Sequence, residues 1–200
     1  HDGANGMKVL EASAKAAVGG VTDTATAADA ITTVLNAYKL DASKAQEVSD
    51  QLFTTVRLGK TDFGQLGKSI AQAAPIAASF GIDIKEVLGA VASITKQGVP
   101  TSEAMTKIRA AILGTANQLG DAAFKGRTFQ EALQLIYDKA GGSSTKMKEL
   151  LGTDEALQAA LMLTGEKAKE AASDLDEVNN SAGAAEAAFK EMASSAENQM

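Results

Sequence analysis

Apolar side chains recur along this chain at steps of three and four residues, with no sustained alternation at steps of two. Ile31, Val34, Leu35 and Tyr38 stand at i, i+3, i+4 and i+7. Ala45, Val48, Leu52 and Val56 form the next stripe, followed by Phe63, Leu66 and Ile70. Ile84, Val87, Leu88, Val91 and Ile94 make a dense one, and Met105, Ile108, Ile112, then Phe129, Leu133, Ile136 and Ala140, continue the series. At 3.6 residues per turn each set lines one side of a helix, so the pattern predicts an all-α chain without strands.

The punctuation agrees. Gly19-Gly20, Gly59, Gly81, Gly98, Gly120, Gly141-Gly142 and Gly152 follow the ends of periodic runs, where glycine tolerates the left-handed backbone that closes a helix. Side chains able to cap the first turn precede the next runs: Asp41 or Ser43, Thr61 or Asp62, Asp83, Thr101 or Ser102, Thr128, Ser143 or Ser144, and Asp154. Thr128 and Glu131 have the spacing of a capping box. The expected architecture is a compact bundle of short, glycine-bounded helices over 1–164.

From Leu157 onward the pattern changes. Positions 157, 161, 164, 168, 171, 175, 178, 182, 185, 189, 192 and 196 alternate steps of four and three, and all but Thr164 are apolar. A mean repeat of 3.5 keeps one seam facing a partner helix, the condition for a coiled coil. The reading expects a longer helical or rod-like segment over 165–200. Leu175, Val178, Phe189 and Met192 are its largest side chains and the candidate self-association seam. Alanine fills most other seam positions, so burial per turn is small, and "NNSAG" (179–183) is a candidate interruption.

Composition narrows the chemistry. The chain has no Cys and no Trp, and its one His is His1, which leaves no material for thiolate metal sites or for imidazole acid–base catalysis. The net charge of −6 is concentrated in the last part: from Glu166 onward there are eight acidic and three basic residues. No basic patch suggests nucleic-acid binding. No cofactor is expected, and the chain reads as non-enzymatic. Asp174 and the pair Asp176-Glu177 read as a charged helix surface, and Asp154-Glu155 as a first-turn acidic pair favoured by the helix dipole. The start, "HDGANGMKVLEAS", reads as a piece cut from something longer.

Two stretches invite sharper readings. "LGKTDFGQLGKS" (58–69) contains Gly-Lys-Thr and Gly-Lys-Ser, the end of a phosphate-binding loop, but Thr54 and Asp62 stand where that loop needs its first glycine. Helix punctuation is the reading adopted, with Lys60 and Lys68 solvated. "AQAAPIAASFGI" (71–82) lies in an uncharged run, short of the roughly 20 apolar residues that span a bilayer. It reads as two small-residue helix ends around a proline turn; the alternative is a membrane-active hairpin.

The order of motifs resembles the core region of phage and prophage tail tape measure proteins. The likeness covers about residues 8–164 and is most specific in "APIAASFGI" (74–82) followed by "GVPTSEA" (98–104). The resemblance implies a long helical protein inside the tail tube of the virion, made in the bacterial host cytoplasm, that sets tail length during assembly and leaves before DNA ejection. It implies as partners other copies of itself, tail tube and tail tip proteins, and tail assembly chaperones. It carries over no catalytic residue. A helical adaptor module is the competing reading.

Overall fold

The structure is a computed structural model that describes residues 2–19, 22–120 and 122–197; Gly20 of the first expected stop lies outside them. Among the described residues there are twelve α-helices, two short 3-10 turns and no strand. The helices are α1 (Asp2–Gly19), α2 (Thr24–Ala37), α3 (Ala45–Leu58), α4 (Phe63–Ile70), α5 (Ala74–Ser79), α6 (Ile84–Lys96), α7 (Thr101–Leu119), α8 (Phe129–Lys139), α9 (Ser144–Leu151), α10 (Asp154–Leu163), α11 (Ala168–Asn179) and α12 (Ala184–Glu197).

The densest stripe in the sequence becomes the axis of the fold. Every residue of α6 from Val87 to Thr95 is buried, because α3, α5, α7, α8, α10 and α11 all pack around it. A helix enclosed on every side must be apolar or small all round, and "VLGAVASIT" is. On one flank α2 packs on α1 and α4; on another α7 packs on α4, α9 and α10. The heaviest fully buried side chains, among them Phe63, Leu88, Met105, Ile112 and Phe129, belong to these packed stripes. Each stabilises the fold by about 1.5–3 kcal/mol relative to exposure.

Small residues set the helix spacing. A Cβ on Gly114 of α7 would lie 2.4 Å from the Leu151 carbonyl oxygen at the end of α9, and one on Gly89 of α6 would lie 3.0 Å from the Leu175 Cα of α11. Gly59 corrects the expectation of a left-handed stop: its φ is −89° with extended ψ. What it supplies is space, since a Cβ there would meet Thr95 Oγ1 at 2.5 Å. Gly152, with φ +85°, does close α9 in the expected left-handed way.

The caps fall largely where the sequence places them. Asp62 accepts from the Gln65 N–H at 2.9 Å, Asp83 from Lys85, and Ser143 from Lys146. Thr128 and Glu131 form the expected capping box, and Asp83 with Glu86 forms a second. Asp41 caps the 3-10 turn at Ala42–Lys44 rather than α3 itself. Two expectations need correction. Thr153, one residue before Asp154, caps α10. No side chain caps α7: Pro100 occupies its cap, and the Thr101 hydroxyl lies 2.7 Å from that of Thr61 across the helix interface.

Pro75 lies in the first turn of α5, where a missing N–H costs no helix hydrogen bond. Ala73, Ala74, Ala77 and Ile82 are buried around it. The 71–82 stretch is therefore a packed turn and a short helix; of its larger side chains Phe80 is partly exposed, edge-on to Phe124 at 5.8 Å. Among the described residues no helix is long and apolar enough to cross a membrane.

Candidate interaction surface

Residues 165–197 form an arm of two helices rather than one long one. The break falls at 180–183, within the expected interruption, where Gly183 takes φ +80°. α11 lies along α6 and touches α3 and α8; α12 lies against α1 and α3.

Polar side chains of the body hold this arm at three levels. At its base, Gln130 of α8 donates its amide to the Leu163 and Ala168 carbonyls, and Gln134 accepts from the Gly165 N–H at 3.2 Å. At mid-length, Asp174 accepts from Ser93 Oγ at 2.6 Å and pairs with Lys96. At the far turn, Asp50 of α3 accepts from the Gly183 N–H at 2.9 Å and the Ala185 N–H at 3.0 Å, so a side chain of another helix caps α12. Asp50 also accepts from the Gln46 amide. Both carboxylates are almost fully buried, at 4% and 2% exposure. Asp174 thus departs from the charged-surface reading, because it faces α6 and not solvent.

Two ion pairs sit at the rim: Arg57 with Glu177 at 2.6 Å, and Lys15 of α1 with Glu186 of α12 at 2.7 Å. The hydrogen-bonded Lys15 ammonium holds the Glu186 carboxyl below its ordinary value. Exposed pairs of this kind contribute little, because solvent screens them.

The seam residues divide. Val178 is fully buried and Leu175 half-buried, with its backbone against Gly89 of α6. Phe189 is half-buried with its backbone near Gly19 of α1, and Met192 is exposed. In the folded chain, then, the seam faces the body wherever it is buried. The ties that hold it there, from Asp50, Ser93, Lys96, Gln130 and Gln134, have no motif in the sequence; they join residues between 31 and 135 positions apart.

Elsewhere the chemistry is sparse. Lys60 and Lys68 are exposed, Asp62 is committed to its cap, and Gly67 packs against Ala30, so 58–69 forms no phosphate cradle. Among the described residues no cluster of three acidic or imidazole side chains could hold a metal ion. An open pocket of about 330 Å³ lies between α3 and the turn into α6. Among the described residues the buried Tyr38 hydroxyl and the side-chain Oε1 of Gln51, both in residues lining it, have no hydrogen-bond partner. Burial, then the charges of Asp83 and Glu86, push the Tyr38 phenol well above its ordinary value, so it stays neutral and able to donate.

Against known proteins, residues 1–158 match the family described as phage-related minor tail protein. A probable tape measure protein of Clostridium phage phiCD119 is 29% identical over 221 aligned positions, covering 100% of this chain and 23% of the relative. The chain therefore spans about a quarter of that relative's length. No solved structure matches. With the glycine-bounded body of helices and the tape-measure-like motif order both in place, the chain belongs to the phage-related minor tail protein family.

Proposed function

We propose that this chain is a structural, non-enzymatic module of a phage tail, in which residues 1–164 anchor a longer helical ruler that begins near 165, with the arm docked on the body here as its first part, and determines tail length. The family match carries the reading. Geometry supports it: a chain that folds back on itself around α6 cannot convert residue number into length, whereas an extended helix does so at about 1.5 Å per residue. The buried carboxylates Asp50 and Asp174 are spent on joining helices, not on a cleft.

In this reading the protein resides in the virion, inside the tail tube, after assembly in the host cytoplasm. Its partners are further copies of itself, tube and tip proteins, and assembly chaperones. In-frame deletion of 60 residues from helical sequence downstream of this module should shorten tails by about 90 Å, measured by electron microscopy. Tails of unchanged length would reject the ruler.

A further inference from the structure

The arm carries a pattern that its folded-back form does not need. α11 and α12 are separated by a non-helical turn at 180–183, and such a turn frees each helix to choose its own phase. Yet 171, 175, 178, 182, 185, 189 and 192 keep the four–three rhythm straight through it. Ala182 sits in the turn itself, exposed, and is apolar for no reason the folded form supplies. A helix continuous across 168–197 would place all these residues on one stripe.

We propose that residues 168–197 are a detachable arm, and that its inner face is also the surface that binds a second copy of this chain, so that folding back and self-association exclude one another. The same residues serve both states. Ala171, Val178 and Ala185 are buried against the body, and Leu175 and Phe189 half-buried there, so none can meet another chain until the arm lifts.

The attachment suits release. Of the arm's four larger apolar side chains only Val178 is fully buried; Leu175 and Phe189 are half-buried and Met192 is exposed. Apart from Val178 and the half-buried Leu175 and Phe189, the arm is held by alanine packing and by polar ties that water can replace once it opens. Straightening also removes the left-handed Gly183 from the chain.

A second copy is the occupant the seam fits. Its flanking positions 172, 174, 179, 181, 186 and 188 hold only two charges, Asp174 and Glu186. In a parallel, in-register pair these face Asn179 and Ser181 of the other copy, so no like charges oppose. The inference stands on the arm's geometry and does not depend on the chain's role in a tail.

Three variants of the 200-residue chain test it by sedimentation over a concentration series. Gly183→Ala disfavours the turn and favours the continuous helix, and should strengthen association at least about tenfold, with a rise in helix content. Gly19→Cys/Ala188→Cys joins α1 to α12 at a site where a Cβ on residue 19 would lie 3.0 Å from that of Ala188, so that the helices need to part by only about 0.5–1 Å to reach disulfide spacing. Oxidised, this variant should stay monomeric; reduced, it should recover the parent's behaviour. Ala182→Glu places a charge that is solvated in the folded-back form but lies on the pairing seam. It should abolish the association gained by Gly183→Ala while leaving the monomer's melting unchanged. The proposal is overturned if the oxidised variant associates as well as the reduced one, if Gly183→Ala pairs no more strongly than the parent, or if Ala182→Glu leaves pairing intact.

Discussion

Replacing Asp50 by Ala should free the far end of the arm and leave the body folded. Asp50 accepts two backbone N–H groups at the start of α12, from Gly183 and Ala185. Losing a cap costs about 1 kcal/mol. Gly183 is exposed, so water can take its N–H; Ala185 is fully buried, and its orphaned N–H costs about 1–3 kcal/mol more. Together the docked arm should lose about 2–4 kcal/mol, equivalent to roughly 30- to 800-fold more frequent opening. Native-state hydrogen exchange reads this directly, because it reports opening free energy segment by segment. Amides of α12 should exchange faster by that factor, while those of α6 and α7 keep their protection. Asp50→Asn, which retains an acceptor oxygen, should fall between. Equal acceleration in α6 would mean that the arm and body open as one unit, and no change in α12 would mean that Asp50 does not hold it; either result refutes the reasoning.

Glycines with and without room should respond oppositely to alanine. Gly114→Ala drives a methyl into the Leu151 carbonyl and should destabilise by about 1–3 kcal/mol, whereas Gly6→Ala, helical with nothing within 4 Å, should stabilise by about 0.5–1 kcal/mol; urea melts compare them. Burial chiefly, helped by the charges of Asp83 and Glu131, raises the Glu86 carboxyl above its ordinary 4.5, so the folded state binds the proton more tightly and loses stability as pH rises from 4.5 through the raised value. Glu86→Gln removes that slope, and its stability relative to the parent should improve between pH 4.5 and 7; a gap that stays constant or moves the other way contradicts this assignment. Glu186 has the opposite sign: its lowered value makes the Lys15 tie fully present above 4.5 and lost as pH falls through the folded value, so exchange in α12 should quicken in acid ahead of α6.

Much of this fold is written locally. The stripes from Ile31 to Ile112 place their larger residues inside, because a helix's apolar side is set by nearest turns and needs no knowledge of the partner. The caps at Asp62, Asp83 and Thr128 are legible for the same reason, since a cap bonds within three residues. The Asp83–Glu86 box carries the same signal and could have been read beside that of Thr128 and Glu131.

What was not legible is what spans the chain. Nothing near Asp50 reveals that it caps a helix 133 residues away, and nothing near Asp174 shows that Ser93 will meet it. Gly59 has the sequence context of a helix stop, and its need for space comes chiefly from Thr95 and Ala92 on another helix. Thr101 stands where a cap is wanted, yet its hydroxyl bonds across the interface to Thr61. The 3.5-residue rhythm of the arm was plain, but rhythm states only that one side is apolar. Whether that side meets the chain's own body or another copy depends on distant residues.

The central claim is that the helical body anchors the ruler and adds nothing to its length. Leu88, buried at the centre of α6, offers the most direct test. Leu88→Ala should destabilise the body by about 2–5 kcal/mol without removing a residue from the chain. Tails of phage carrying it, counted and measured by electron microscopy, should be fewer and keep the parental mean length. Tails of normal number but altered length would contradict the account.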